Sequence, residues 1–211
     1  MEYPKIETLF DRNEDFTVDR DRLRLPEFAL VTAWHVTEKI DGTNVRVWWD
    51  GSRVSFHGRT ASAQMPTFLL SYLQATFTDV ALTAVFRDAS EVWLFGEGYG
   101  GRIQKDGSKY RGDVAFRLFD VKVGDWWLRW PDVEDVARKL SIETAPVLGT
   151  FSMDQIVALV EGGGESVVAQ QEGAGRQWEG VVARTEPLLF TRRGDRLMWK
   201  LKTRDFTRGK R

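Results

Sequence analysis

The segment EKIDGTNVRV, residues 38–47, places a lysine two positions before an aspartate–glycine pair. The preceding residues HVTEK (35–39) and the following residues NVRVWW (44–49) alternate in the manner of β-strands. Lys39 therefore lies where a strand ends and a tight turn begins. Such a lysine is either solvated surface or a nucleophile directed into a pocket, and the rest of the chain must distinguish the two.

Strand patterns dominate the rest of the sequence, and strands and helices do not alternate regularly. This arrangement predicts an α+β fold of mainly antiparallel sheets with flanking helices. Glycine-rich residues 161–177 are interpreted as a flexible surface loop. We predict further strands at 52–57, 91–97, 114–123, 126–130, 178–184 and 196–202, and helices at 66–77, from Pro131 to about Leu140, and near 153–161, where Ser152 and Gln155 form a capping box.

Composition excludes several classes of protein. The 211 residues fit a single domain, and the absence of cysteine excludes disulfides, thiolate catalysis and cysteine-based zinc sites. No apolar run is long enough to span a bilayer, and the N-terminus has no signal-peptide pattern. We therefore expect a monomeric, cytoplasmic protein without a membrane partner. Net charge is −1, but residues 192–211 hold nine Lys or Arg, and 203–211 is predicted to be a basic tail.

Charged residues recur on single faces of the predicted strands. Period-2 geometry places Lys200 and Lys202 on one face of their strand, with Trp199 and Leu201 packed behind. Taken singly, such residues are also what a wet face of an antiparallel sheet presents. Their order along the chain is more specific: Lys39-x-Asp41-Gly42 is followed by GRT (58–60), FGE (95–97), FDVK (119–122), EGVV (179–182) and KLK (200–202).

These six elements, in this order, resemble the covalent nucleotidyltransferases, the superfamily of ATP-dependent DNA and RNA ligases and mRNA capping enzymes. The segment TEKIDGTN is most similar to the branch of the second phage RNA ligase and the RNA-editing ligases. The resemblance covers residues 3–206 and implies a nucleotidyltransferase domain. It implies an ATP-dependent RNA ligase that uses Mg²⁺ or Mn²⁺ and joins a 5′-phosphate RNA end to a 3′-hydroxyl through a lysyl-AMP intermediate.

The resemblance implies a catalytic group of five residues. Lys39 would attack the α-phosphorus of ATP, for which its amine must first lose a proton. Lys200 and Lys202 would favour the neutral amine and neutralise the α-phosphate. Asp41 would hold Lys39 or a metal-bound water, and Glu179 would bind Mg²⁺ directly or through water. A plain Asp-Gly turn and a surface carboxylate are the alternatives for these two acids.

The nucleotide is expected to contact five further motif residues. Arg59 and Glu97 would hydrogen-bond the ribose hydroxyls, with Asn44 near the sugar or phosphate. Phe119 would stack on one face of adenine and Val182 would cover the other. Core packing remains the alternative for Phe119 and Val182, because aromatic and β-branched residues on strands are usually core.

Two residues beside the lysine complete the implied site. The backbone and side chain of Glu38 would read the adenine amino group, and an exposed glutamate is the alternative. Gly42 would give the turn room for the nucleotide.

Two departures from the pattern leave other functions open. Asp41 stands where the named branch often has histidine, and only nine residues follow Lys202, which leaves no room for a C-terminal OB-fold. A DNA-nick ligase and a capping-type enzyme normally carry that domain and are therefore less favoured. A catalytically silent RNA-end-binding module is the third alternative, although intact Lys39, Glu97 and Glu179 argue against it.

Overall fold

The computed structural model describes residues 1–15, 17–60 and 63–207. The strands are β1 (Glu7–Thr8), β2 (Phe10–Arg12), β3 (Val18–Leu23), β4 (Trp34–Glu38), β5 (Thr43–Trp49), β6 (Val54–His57), β7 (Val92–Gly100), β8 (Val114–Val123), β9 (Trp126–Trp127), β10 (Glu143–Thr144), β11 (Val147–Phe151), β12 (Gly180–Arg184) and β13 (Met198–Lys202). The α-helices are α1 (Thr67–Thr76), α2 (Asp79–Phe86), α3 (Trp130–Lys139), α4 (Met153–Gly162), α5 (Val167–Gln171) and α6 (Arg204–Thr207), and short 3₁₀ helices lie at Pro26–Leu30 and Gly107–Lys109.

The predicted α+β class with mainly antiparallel sheets is confirmed. Among the described residues, the parallel strand pairs are β1 with β13 and β8 with β10, and the other pairs are antiparallel. The predicted hairpin after Trp49 is present, but its two-residue loop is formed by Gly51 and Ser52 rather than by Asp50 and Gly51. Asp50 pairs with Arg53, and Gly51 takes a positive φ of 97° in the turn.

The chain divides into two compact units. The first unit comprises Met1–Pro4, Asp41–Ala145 and Glu172–Ala174; the second comprises the described residues within Lys5–Ile40, Pro146–Gln171 and Gly175–Arg211. The units are interleaved along the sequence rather than consecutive, so the interpretation of residues 1–211 as a single domain stays a prediction.

The second unit is built on a five-stranded sheet in the order β1-β13-β12-β4-β11. One face of this sheet carries the apolar side chains of alternate positions, among them Trp34, Val36 and Trp199, all fully buried. Helix α4 packs Ile156 and Val160 into the same core, and its predicted capping box is present. Burial of this face is the main stabilising contribution, because stabilisation scales with the apolar area removed from water.

The first unit is built on a six-stranded sheet in the order β10-β8-β7-β5-β6, with β9 paired to the edge of β8. The predicted helix α1 packs on this sheet through buried Leu69 and Leu73. Phe77, which follows α1, meets Phe116 of β8 edge to face at 5.2 Å between ring centroids. Helix α2 follows directly and was not predicted, although Thr78 caps it by accepting from the Ala81 N–H.

The expected flexible loop at 161–177 is wrong for its central part. Residues 167–171 form α5, Val168 and Ala169 are fully buried, and Glu165 pairs with Gln177 in an antiparallel bridge. The glycines at either end of the segment suggested a solvated loop, but tertiary contacts order the residues between them.

Within the described residues, no single helix is long and apolar enough to cross a membrane. Helices α1 and α2 meet the requirement only as a pair, by length and composition, and the pair is bent by 48° at its break.

Candidate active site

Strands β4, β12 and β13 of the second unit place the candidate catalytic lysines at one end of their sheet. Lys200 lies opposite Val182 in register, and Lys202 lies opposite Gly180. The Lys39 N–H continues the ladder just beyond β4 by donating to the Gly180 carbonyl at 2.9 Å. Leu201, between the two lysines of β13, and Trp199, directly before Lys200, are buried in the core, so the predicted separation of lysine face and apolar face is confirmed.

Glu179 links two of these lysines. The Lys39 Nζ lies 2.7 Å from Glu179 Oε2, and the Lys202 Nζ donates to Glu179 Oε1. The three side chains are only 22%, 16% and 15% exposed, for Lys39, Lys202 and Glu179 respectively. Partial burial makes this group different from an exposed ion pair, whose contribution to stability is usually small.

The charges around Glu179 set its protonation. Burial alone would raise the pKa of the Glu179 carboxyl, but the charge of Lys39 and hydrogen bonds from Lys202 and Lys39 outweigh burial. The pKa of Glu179 therefore lies below its ordinary value of 4.5. The carboxylate is ionised at neutral pH and contacts the amines of Lys39 and Lys202 on the lysine face.

Glu38 differs from its expected position. Its carboxylate accepts hydrogen bonds from the Ser166 hydroxyl and from the Val168 N–H, the latter at 3.1 Å, and the residue is 2% exposed. Glu38 pairs with Val181, which lies on the apolar face. The expectation that its side chain is directed at adenine therefore gains no support, whereas a role for its backbone stays a prediction.

The turn after Lys39 is held within the first unit by two residues that sequence reasoning missed. The Asp41 N–H donates to the Tyr110 hydroxyl at 3.0 Å, and the Gln104 side-chain amide donates to the Gly42 carbonyl at 2.8 Å. Tyr110 is fully buried. No local pattern in the sequence marks Tyr110 or Gln104, since both act on residues more than 60 positions away.

Gly42 is required by the packing of the turn, and its expected role beside a nucleotide stays a prediction. A Cβ at this position would lie 2.2 Å from the Gly98 carbonyl oxygen and 2.8 Å from the Glu97 Cγ. The glycine therefore allows the turn to approach β7 closely, whether or not it also makes room for a nucleotide.

We expect Gly42→Ala to lower the free energy of unfolding by about 1 to 3 kcal/mol, because an inserted methyl in a packed site forces the backbone apart. Gly112→Ala is the matched control, since no atom lies within 4 Å of a Cβ there. Thermal or urea unfolding of the two variants provides the comparison. Equal stability of both would show that the turn adjusts without cost.

Three candidate residues lie on the sheet of the first unit: Asn44 and Glu97 are neighbours on paired strands, and Phe119 lies at an irregularity of β8. Asn44 of β5 pairs directly with Glu97 of β7, so their side chains share a face of the sheet. The Asn44 Oδ1 is buried without a hydrogen-bond partner among the described residues, and it can accept from a ligand hydroxyl or a water. Phe119 lies in a β-bulge, a feature that often redirects side chains near sites.

The remaining candidates are less constrained. Phe119 is half-buried and meets Tyr3 edge to face at 5.2 Å, while Val182 is half-buried on the lysine face of the second unit. Arg59 lies exposed in the loop after β6. The nucleotide-binding roles of these three residues stay predictions.

Part of the segment 203–211, predicted to be a basic tail, forms a helix, and the boundary at residue 203 stays a prediction. Residues 204–207 form α6, and Asp205 is 3% exposed. Its carboxylate pairs with Arg12 at 2.6 Å and accepts from the Lys202 N–H at 3.0 Å. The rest of the predicted tail, 208–211, lies outside the described residues.

Comparison with known proteins agrees with this geometry. The family model for RNA ligase matches residues 32–202. No curated protein matches the sequence.

Several solved structures share the fold at low sequence identity. A Naegleria gruberi RNA ligase mutant with ATP and Mn is 17% identical with a TM-score of 0.64, and the match covers 97% of this chain and 58% of that one. The Naegleria gruberi RNA ligase with PPi is 18% identical with a TM-score of 0.65, covering 97% and 62%. An archaeal ATP-dependent RNA ligase is 16% identical with a TM-score of 0.64, covering 97% and 49%.

The chain thus spans less than two thirds of the length of these solved proteins. At such identities the structures establish the nucleotidyltransferase fold alone. The family model, by contrast, covers most of the chain and includes Lys39, Glu179 and the lysine pair of β13. The chain belongs to the RNA ligase family.

Proposed function

We propose that this chain is an ATP-dependent RNA ligase with Lys39 as its nucleophile. The Lys39 amine attacks the α-phosphorus of ATP, a nitrogen–phosphorus bond forms, and pyrophosphate leaves. A 5′-phosphate RNA end then attacks the lysyl-AMP phosphorus, which frees the lysine and leaves AMP on the RNA end. A 3′-hydroxyl finally attacks the activated end, forms the phosphodiester and releases AMP.

The observation that carries this proposal is the shared contact of Lys39 and Lys202 with Glu179. Two amines converge on one carboxylate at the end of a sheet, and Lys200 projects from the same face. A phosphate that enters beside Lys39 meets cations that neutralise its charge during attack.

The residues present fit a divalent cation bound through Glu179. Within the described parts of the chain, no three His, Asp or Glu side chains gather to hold a metal by themselves. Mg²⁺ typically takes one or two carboxylates and completes its shell with substrate phosphates and water. Glu179 would supply that carboxylate, and the cation, Mg²⁺ or Mn²⁺, would add positive charge beside the phosphates. The Naegleria ligase solved with ATP and Mn supports both ligands.

In this proposal four further motif residues contact the nucleotide. The Glu97 carboxylate accepts from the ribose hydroxyls and the Arg59 guanidinium donates to them. The Asn44 Oδ1, which has no partner among the described residues, accepts from a hydroxyl or water nearby. Phe119 stacks on adenine. Asp41 holds Lys39 or a metal-bound water, and its backbone N–H donates to the Tyr110 hydroxyl.

The experiment that tests the proposal incubates the protein with α-labelled ATP or α-labelled GTP and Mg²⁺, then with nicked RNA or nicked DNA. We expect label from ATP on the protein and joining of 5′-phosphate to 3′-hydroxyl RNA ends. Label from GTP would indicate a capping-type enzyme, and joining of DNA alone a DNA-nick ligase. No label from either nucleotide would leave a silent RNA-end-binding module. A monomeric state and a cytoplasmic location stay predictions.

We expect RNA joining to fall steeply with salt while lysyl-AMP formation falls much less, because only joining needs phosphate contacts over an RNA surface. Exposed Arg192 and Arg193, in the loop between β12 and β13, are candidates for those contacts. Arg192→Ser with Arg193→Ser should reduce the slope of log joining rate against log salt by about 1 to 2.

Two designs sharpen this salt series. The matched control replaces Arg138 and Lys139, an adjacent exposed pair on α3, by serine. A truncation after Thr207 tests the terminal segment without removing Asp205, which anchors the Lys202 backbone. If the salt slopes are equal for the test pair, the control pair and the truncated chain, neither Arg192 and Arg193 nor residues 208–211 contact RNA phosphates.

A further inference from the structure

The buried carboxylate directly before the nucleophile has a partner in a segment that the family motifs do not include. Glu38 accepts a hydrogen bond from the Ser166 hydroxyl and a second from the Val168 N–H at 3.1 Å. Ser166 is fully buried, and its Oγ accepts from the Ala169 N–H at 3.1 Å. Glu38 and Ser166 together accept from the Val168 and Ala169 N–H groups in the first turn of α5. The first N–H groups of a helix have no backbone acceptor within the helix, so they need such partners.

Strand geometry places this contact behind the lysine rather than beside it. Glu38 pairs with Val181, whose side chain lies in the apolar core, whereas Lys39 contacts Glu179, which also holds Lys202, on the lysine face. Successive side chains of a strand leave on opposite faces. The Glu38 carboxylate therefore holds the end of β4 from the face opposite the reacting amine.

The backbone around the same point is also fixed. The Glu38 N–H donates to the Pro146 carbonyl and the Lys39 N–H to the Gly180 carbonyl, each at 2.9 Å. After Lys39 the chain leaves the sheet for the turn. The side-chain contact to Ser166 is thus an additional anchor at the last residue of the strand before the nucleophile.

Burial of a carboxylate costs free energy, because the group loses its contacts with water. An apolar residue of similar volume would pack at this position without desolvating a charge, and buried charges are weak evidence for stability. Hydrogen bonds to the carboxylate are directional, however, and fix its position more narrowly than apolar contact does. Directional control matters most beside a group that must reach one atom of a substrate.

We infer that Glu38 is a positioning residue, which acts with Ser166 to fix the end of β4 and so to aim the Lys39 amine. The inference rests on the proposed function in taking Lys39 as the nucleophile. It gives the Glu38 side chain a role in the rate of lysyl-AMP formation and none in the choice of nucleotide base.

Ser166→Ala is the decisive variant, because it removes the hydroxyl donor from a fully buried residue on the far side of the contact. We expect single-turnover lysyl-AMP formation at saturating ATP to slow by about 10- to 100-fold, the range typical of a misplaced reacting group. The ATP concentration for half-saturation and the preference for ATP over GTP should stay as in the wild type. Ser166→Thr keeps the hydroxyl and should retain more of the rate.

Ser152→Ala is the matched control. Ser152 caps α4 in the same unit by accepting from the Gln155 N–H, so its loss also removes a helix cap. It should lose stability in a thermal melt, as any lost cap does, and keep the wild-type rate. Glu38→Gln should reproduce the slow rate of Ser166→Ala. The double variant should be no slower than the slower single variant, because both substitutions disrupt the same contact between Glu38 and Ser166.

Each outcome of this series has a defined meaning. Equal rates for Ser166→Ala and Ser152→Ala would overturn the inference and leave the contact structural. A changed ATP-to-GTP preference in Glu38→Gln, with Ser166→Ala unchanged, would overturn it in favour of base reading by Glu38. A wild-type protein that takes no label from ATP would refute the proposed function, and the inference with it.

Discussion

Replacement of Lys39 by alanine is expected to abolish lysyl-AMP formation, because no other group replaces the attacking amine. Lys39→Arg should fail as well, since a guanidinium stays protonated at any pH that the protein tolerates. The fold should persist in both variants, because Glu179 keeps its contact with Lys202. Capture of label from α-labelled ATP, measured on denaturing gels, provides the readout.

Lys5→Ala is the matched control for this experiment. Lys5 also pairs with a glutamate, Glu7, at 3.2 Å and lies in the same unit, but its side chain is 66% exposed. It should capture label as the wild type does. Any label on Lys39→Ala or Lys39→Arg would mean that another residue is the nucleophile.

Replacement of Glu179 by alanine should slow lysyl-AMP formation by about 100- to 1000-fold, comparable to the loss of a preorganised charge-stabilising group. The variant loses the oxygen ligand proposed for the divalent cation and leaves two lysines without their shared anion. Raising the Mg²⁺ concentration should recover part of the rate.

Glu161→Ala is the control for this substitution, because Glu161 pairs with Arg20 on the surface of the same unit. An exposed pair of this kind contributes little, so its loss should leave the rate unchanged. If Glu179→Ala matched this control, the carboxylate would have no part in catalysis.

Glu179→Gln tests the lowered pKa through stability. A carboxyl whose pKa is lower in the folded than in the unfolded protein stabilises the fold at pH values above the unfolded pKa, and this stabilisation is lost as pH falls through the folded pKa. The difference in unfolding free energy between wild type and Glu179→Gln should therefore be greatest above the ordinary glutamate pKa of 4.5 and shrink below it. Urea titrations from neutral to acidic pH measure this difference.

Local periodicity was sufficient for much of the second unit. Alternation along residues 196–202 separates Lys200 and Lys202 from Trp199 and Leu201, and the structure places the lysines on one face and the apolar residues in the core. The capping box at Ser152 likewise needs only residues within one turn of helix. Such patterns are local, so a sequence displays them directly.

Features that depend on distant residues were not predictable in the same way. The order in residues 161–177 depends on Glu38, more than 120 positions earlier, which fixes the first turn of α5. The fold of 204–207 depends on the pairing of Asp205 with Arg12. In both places the local composition, glycine-rich or basic, favoured a solvated segment, and a long-range hydrogen bond or ion pair reversed that preference.

The candidate site was predictable to the extent that motif order identifies it. Lys39 and Lys202 both contact Glu179, and the catalytic roles that the resemblance implies for them stay predictions. The order of motifs does not specify what holds them, and Tyr110, Gln104 and Ser166 emerge only from the structure. The roles of Arg59, Phe119 and Val182 toward a nucleotide remain predictions, because the protein's own contacts do not define them.

The intact mass of the protein after incubation with ATP and Mg²⁺ shows whether Lys39 is the nucleophile. We expect a gain of one adenylyl group, carried by the peptide that contains Lys39, and its loss on addition of pyrophosphate. An unchanged mass, or an adenylyl group on a different residue, would contradict this expectation.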